Sequence, residues 1–143
     1  IAQSLEPFVT DETVNVVNLM ARMSKVSEFE DPNEVKVVVN KSNDAIYFSR
    51  EPIPSRKKGV LEVPMLKQVC IIPFKRDHLI RFNETGETIL EKIESVDMMR
   101  IIENGGKVRM VMTEECSFSV DTKQDLENVE TRMIGDQLMN LYL

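Results

Sequence analysis

The chain has 143 residues, 42% of them hydrophobic and 29% charged, a balance that suits one compact soluble domain of mixed structure. A net charge of −6 argues against a nucleic-acid groove, because phosphate contacts demand clustered Lys and Arg; the one basic cluster, "SRKKG" at 55–59, reads as a solvated loop. No apolar stretch approaches the roughly 20 residues that cross a bilayer, and the first residues lack the basic-then-apolar pattern of a secretory signal, so a soluble, cytoplasmic chain is expected.

In chain order, "TDETVNVVNLM" reads as a short amphipathic helix, with Thr10 as N-cap, acids in the first turn and Val14, Val17, Leu19 and Met20 as its buried residues. "EFEDPNEVKVVVNKSNDAIYFSR" holds two β-rich runs around the polar cluster "NKSND", a hairpin signal. "EPIPSRKKGVLEVP", rich in proline, reads as a loop or extended arm. "KQVCIIPF" is a near-continuous apolar run of the kind that a strand buried on both faces shows. "RDHLIRF" predicts a short helix with His78 at its start as a surface residue, and "TILEKIESVDMMRIIENGG" a long one ended by Asn104 and the glycine pair. "KVRMVM" and "FSV" predict strands, and "TKQDLENVETRMIGDQLMNL" the last helix. Cys70 and Cys116 make neither a metal spacing nor a disulfide framework. Alternating strands and helices favour an α/β class with a mostly parallel sheet, in a single domain over 1–143.

Two carboxylates stand out. Asp121 follows "FSV" at the carboxyl end of a strand, where open α/β sheets bind ligands. Thr122 and Asp125 already form a capping box for the last helix, so Asp121 is either a turn-former or a site residue. In the long helix, Asp97 and Arg100 continue the apolar stripe begun by Leu90 and Ile93. They read either as an intrahelical pair at i, i+3 or as polar groups facing a ligand.

"FEDPNEVKVVVNKSNDAIYFSREPIP", "KQVCIIPF", "LEKIESVDMMRIIENGGKVRMVM" and "SVDTKQDLENVE" resemble, in this order, successive segments of the sugar cytidylyltransferases of the CMP-Kdo synthetase type, 3-deoxy-manno-octulosonate cytidylyltransferases. The resemblance implies a three-layer α/β/α, Rossmann-like nucleotidyltransferase fold, here lacking its N-terminal half. It implies transfer from CTP to an acidic, Kdo-like sugar with release of pyrophosphate, magnesium held by two aspartates, a homodimer, and a place in lipopolysaccharide or capsule synthesis. Residue by residue, Asp121 matches the second metal aspartate. Ser49, Arg50, Asp97 and Arg100 match positions beside the sugar, Gln68 matches the histidine of the strand before the family's Gly-Ile-Tyr segment, and Gln3 matches a glutamine on the nucleotide side.

The departures carry weight. Ser4 and Leu5 stand where the family has Gly-Asp before Glu6 and Pro7, so the first metal aspartate is replaced by an alkyl side chain, which cannot bind a hard cation. Ile72 replaces a tyrosine, and the glycine-rich basic loop that grips the triphosphate is absent from these residues. "NLMARMSKVSEF" has no room for the strand that the family places before "DPN", so a seam is expected at Ala21 and Arg22. Two other readings stay open: a degenerate module for binding or dimerisation, inactive alone, and a synthetase acting on neuraminate.

Overall fold

The computed structural model of the chain describes residues 2–60, 62–114, 120 and 122–136. Helix α1 (Ala2–Thr10) leads into strand β1 (Val17–Arg22), followed by α2 (Val26–Glu30), the hairpin β2 (Lys36–Val39) and β3 (Ala45–Ser49), and β4 (Leu66–Val69). Helices α3 (Arg76–Glu84), α4 (Ile89–Glu94) and α5 (Met99–Glu103), strand β5 (Arg109–Met112) and helix α6 (Lys123–Met133) complete the described chain. The five strands form one mixed sheet in the order β3-β2-β4-β1-β5. Only β1 and β5 run parallel, whereas β1–β4, β2–β4 and β2–β3 are antiparallel, which corrects the expectation of a mostly parallel sheet. Short connections explain it: the five-residue hairpin turn returns the chain directly beside itself, and only antiparallel neighbours allow that.

The expected helix over "TDETVNVVNLM" is instead a turn and the central strand β1. The Asp11 carboxylate accepts from the backbone N–H and the hydroxyl of Thr13, at 3.0 and 2.6 Å, a local bond that competes with helix formation. Thr10 caps nothing; its hydroxyl bonds the carbonyl of Glu6 at the end of α1. Val17, Leu19 and Met20 are buried because both faces of β1 are covered, which gives an apolar spacing that a helix shares. The expected seam is absent. β1 runs unbroken through Ala21 and Arg22, paired with Lys67 and Leu66, and the N–H of Met23 extends the ladder to Met65 at 2.9 Å. The strand thought missing is β1 itself.

The expected long helix breaks at Ser95, which adopts the left-handed conformation at φ 53°, ψ 48° and ends α4. A turn through Val96 and Asp97 then redirects the chain into α5, and Asn104 closes it as expected. The hairpin over "NKSND" forms, with Asn40 bonding the backbone of Ser42 and Asp44 across the turn. α3 forms over "RDHLIRF", and the Thr122–Asp125 capping box opens α6. Asp121, Cys116 and the first two residues of "FSV" lie outside the described residues.

Val16, just before β1, and Met20 on β1 enter the main core with Val37, Phe48, Leu66, Met98, Met99, Val108 and Met110. The alternate residues Leu19 and Ala21 form a smaller cluster with Val69. The turn of the β2–β3 hairpin reaches across to the start of β5: Met110 donates to Asn43 at 2.7 Å and Ala45 to Val108 at 2.9 Å. The main core is thereby enclosed between hairpin, sheet and α5.

Candidate functional site

Cross-strand partners place the sequence motifs along one edge. The row Ser49, Lys36, Lys67 and Ala21 crosses from β3 to β1, and Thr113, just beyond β5, donates to Met20 at 2.8 Å. The carboxyl ends of β1, β3 and β5 therefore lie near this row. It is the edge at which α/β sheets take their ligands.

Ser49 and Arg50 are organised by Glu94, at the end of α4. Its carboxylate accepts from the Ser49 hydroxyl at 3.0 and 3.1 Å, from the Arg50 N–H at 3.0 Å and from the Tyr47 hydroxyl at 3.0 Å. Burial and this carboxylate together push the Tyr47 phenol above its usual range. The Arg50 guanidinium donates to the carbonyls of Glu94, Ser95 and Pro32, at 2.9, 3.1 and 3.0 Å. It ties the end of α4 to the loop before β2. Below it, the fully buried Lys36 gives its ammonium to the carbonyls of Asp31, Glu34 and Arg50. Burial lowers its pKa, opposed by the charges of Asp31, Glu51 and Glu34. Lys67 bridges Glu28 and Glu34 at 2.7 and 3.1 Å. Burial alone would lower it, but its bonds to those two carboxylates outweigh that and hold the ammonium charged.

Arg100 does not pair with Asp97. Its Nε and Nη2 form a bidentate bridge to Glu91 at 2.8 and 2.5 Å, Nη1 donates to the carbonyls of Phe82 and Thr85, and the guanidinium lies 4.4 Å from the Phe82 ring centroid. The Arg100 bond holds the Glu91 carboxyl below the usual carboxylate range, and Arg100 is raised in turn. The break at Ser95 permits this, since it turns α5 so that Arg100 meets a residue nine positions back. Asp97 is exposed in the turn between the two helices. Of the residues expected to meet at one pocket, Ser49 and Arg50 share Glu94, while Arg100 is held separately by Glu91.

Gln68 is tied to β1: its side-chain N–H donates to Asn18 at 2.6 Å, and the buried Asn18 amide donates to the carbonyls of Val69 and Leu19. Gln3 is exposed on α1, and Leu5 is 48% exposed beside it. No group of three or more His, Cys, Asp or Glu among the described residues stands close enough to hold a metal ion. With an alkyl side chain at Leu5, these residues do not furnish a two-aspartate magnesium site.

Glu91, Glu94 and Lys36 escaped the sequence reading. The signal for Glu91 was "TILE", in which the carboxylate reaches back to the backbone N–H of Thr88 at 3.1 Å. For Lys36 there was none, because a lysine inside a β-rich run looks like a solvent-facing residue.

The family model described as cytidylyltransferase matches residues 1–115. A 3-deoxy-manno-octulosonate cytidylyltransferase of Solibacter usitatus is 39% identical over 123 residues, covering 86% of this chain and 49% of the relative. Its counterpart in Geobacter metallireducens is 32% identical over 148 residues, covering 96% of this chain and 58% of the relative. A solved CMP:2-keto-3-deoxy-manno-octonic acid synthetase complexed with CTP matches with a TM-score of 0.83 at 32% identity, over 92% of this chain and 54% of that one. The chain thus spans about half the length of the curated relatives that it matches.

Proposed function

Since the chain belongs to the cytidylyltransferase family, we propose that it is the sugar-facing portion of an enzyme that joins CTP to a Kdo-type acidic sugar, giving the CMP-sugar and pyrophosphate. The observation that carries this reading is the Ser49–Arg50 strand end, fixed by Glu94 at the carboxyl edge of the sheet. Arg50, bonded through its guanidinium among the described residues only to neutral carbonyls, keeps a positive charge suited to a carboxylate; buried Ser49 holds the strand end in place through Glu94, and exposed Asp97 stands on the turn that follows α4. Gln68 is fixed on β4 by Asn18, Arg100, held by Glu91, faces the other edge of the sheet and takes no part in this site, and Gln3 belongs to the nucleotide side. The names of the relatives support CTP and the Kdo class of sugar.

In-line transfer at the α-phosphorus depends on positioning and on neutralising the triphosphate. Among the described residues no group of three or more His, Cys, Asp or Glu could hold a metal ion, and the glycine-rich basic loop of the family has no counterpart in the sequence. We assign Asp121 as the one magnesium-binding carboxylate that this chain contributes, and a homodimer acting in the cytoplasm in lipopolysaccharide or capsule synthesis as the setting. No described helix is long and apolar enough to cross a membrane.

The test is pyrophosphate release from CTP with magnesium and a sugar acid, run beside calorimetry. The expected result for the chain alone is no turnover above background together with weak binding of the sugar acid. Turnover by the chain alone would overturn this description of the site. Binding of CTP in place of the sugar would overturn the assignment of the sugar half.

A further inference from the structure

At the opposite edge of the β1–β5 pair, where both parallel strands begin, lie two adjoining cavities that the transfer chemistry does not use. One, of ≈ 330 Å³, is walled by Val16, Phe74, Phe82 and Ile101 with His78 and Arg81 at its polar side. The other, of ≈ 290 Å³, takes in Thr13, Asn15, Lys107 and Arg109 together with the carboxylate of Asp44, which Arg109 occupies. His78, Val16, Ile101 and Gly106 line both. An apolar floor with a few converging polar groups is the usual make-up of a small-molecule site.

The charges around it are unevenly answered. Arg109 is bound by Asp44 at 2.7 Å and Asp11 at 3.3 Å, and Arg100 by Glu91. Lys75 gives its ammonium to the Glu12 carbonyl, and Asp77 pairs with Arg76. Arg81 and Lys107 form no salt bridge among the described residues, and the His78 ring has no hydrogen-bond partner among them. His78 is half-buried rather than a surface residue. Its pKa is lowered by burial first and by the nearby positive charges of Arg81 and Lys75 second, with Asp77 opposing. The ring therefore stands in a cationic field with an apolar wall behind it.

We propose that this cavity binds a small carboxylate with an apolar body, the body lying against Phe74, Phe82 and Ile101 and the carboxylate facing Arg81 and His78, with Lys107 adding charge from the adjoining lobe. The carboxylate supplies the negative charge that the protein leaves out, and the aromatic floor favours a ring or branched chain over a bare ion. This site lies away from the edge that carries Ser49 and Arg50, so its test does not depend on cytidylyl transfer.

His78 is the single histidine of the chain, which makes its ring signal in a ¹H–¹³C spectrum a unique reporter. The protein is titrated with benzoate, benzamide and acetate at constant ionic strength. Benzoate is expected to shift the His78 signal saturably at millimolar concentration, with benzamide and acetate each at least about tenfold weaker. Arg81→Glu should weaken benzoate about tenfold or more, while Arg76→Glu, on the exposed side of the same helix, leaves it unchanged. A non-saturating shift with benzoate overturns the proposal, as does benzamide binding equally well or an Arg81→Glu titration that matches the wild type.

Discussion

Replacing Arg100 by Ala removes both arms of the bridge to Glu91, the bonds to the Phe82 and Thr85 carbonyls, and the stacking on Phe82. The Arg100 and Glu91 side chains are only 14% and 10% exposed, so the carboxylate would be stranded with little water. Breaking a buried pair from one side costs about 3–5 kcal/mol. Glu91 keeps the Thr88 N–H, which places the expected loss at the lower end, about 3 kcal/mol. With an m-value of about 2 kcal/mol per M, the urea midpoint should fall by about 1.5 M. The pH dependence has a defined sign. Because the folded pKa of Glu91 is depressed, its stabilisation is complete above the unfolded value of about 4.3 and is lost as pH falls through the folded value. The gap between wild type and Arg100→Ala, followed by circular dichroism in urea, should therefore narrow in acid. A midpoint within about 0.3 M of wild type, or a gap that holds constant below pH 4, would mean that the Arg100–Glu91 bridge adds little to stability. Arg100→Lys should recover little, since an ammonium cannot make the two-armed bridge.

Ser95→Gly should raise stability by up to about 1 kcal/mol, read as a higher urea midpoint, because glycine adopts the left-handed angles of Ser95 without strain. Gly106→Ala should lower it by about 1–3 kcal/mol, since an added Cβ would stand 2.7 Å from Ile101 Cγ2 and 3.0 Å from its carbonyl oxygen; an unchanged midpoint would show that α5 yields freely. Arg50→Ala in a full-length relative carrying these residues should weaken sugar-acid binding in calorimetry while leaving CTP binding near normal. Equal loss for both ligands would mean that Arg50 acts only through the end of α4 that it ties down.

The hairpin was legible because "NKSND" is turn chemistry with no competing pattern, and Asn43, at φ 59°, takes a conformation that asparagine tolerates. The last helix was legible for the same reason, its capping box being a local signal. β1 was not. A strand covered on both faces has apolar residues at nearly every position, and Val14, Val17, Leu19 and Met20 satisfy a helical stripe by accident. The break at Ser95 was hidden too, because no Gly or Pro interrupts the periodicity there. That one residue also decides the partner of Arg100: an unbroken helix offers Asp97, and the kinked chain offers Glu91. Ser49 and Arg50 were found through their motif, but the carboxylate that fixes them lies 44 residues on from Arg50 and leaves no mark in local spacing.

Whether the carboxyl edge of the sheet receives an acidic sugar, as proposed, can be read from amide chemical-shift mapping with 3-deoxy-manno-octulosonate and, in parallel, with neutral mannose. The expected result is a saturable shift confined to Ser49, Arg50, Gln68 and the turn around Asp97 with the sugar acid, none with mannose, and loss of the effect in Arg50→Ala. Shifts of equal size with mannose, or none at those amides with the acid, would mean that this edge does not recognise an acidic sugar.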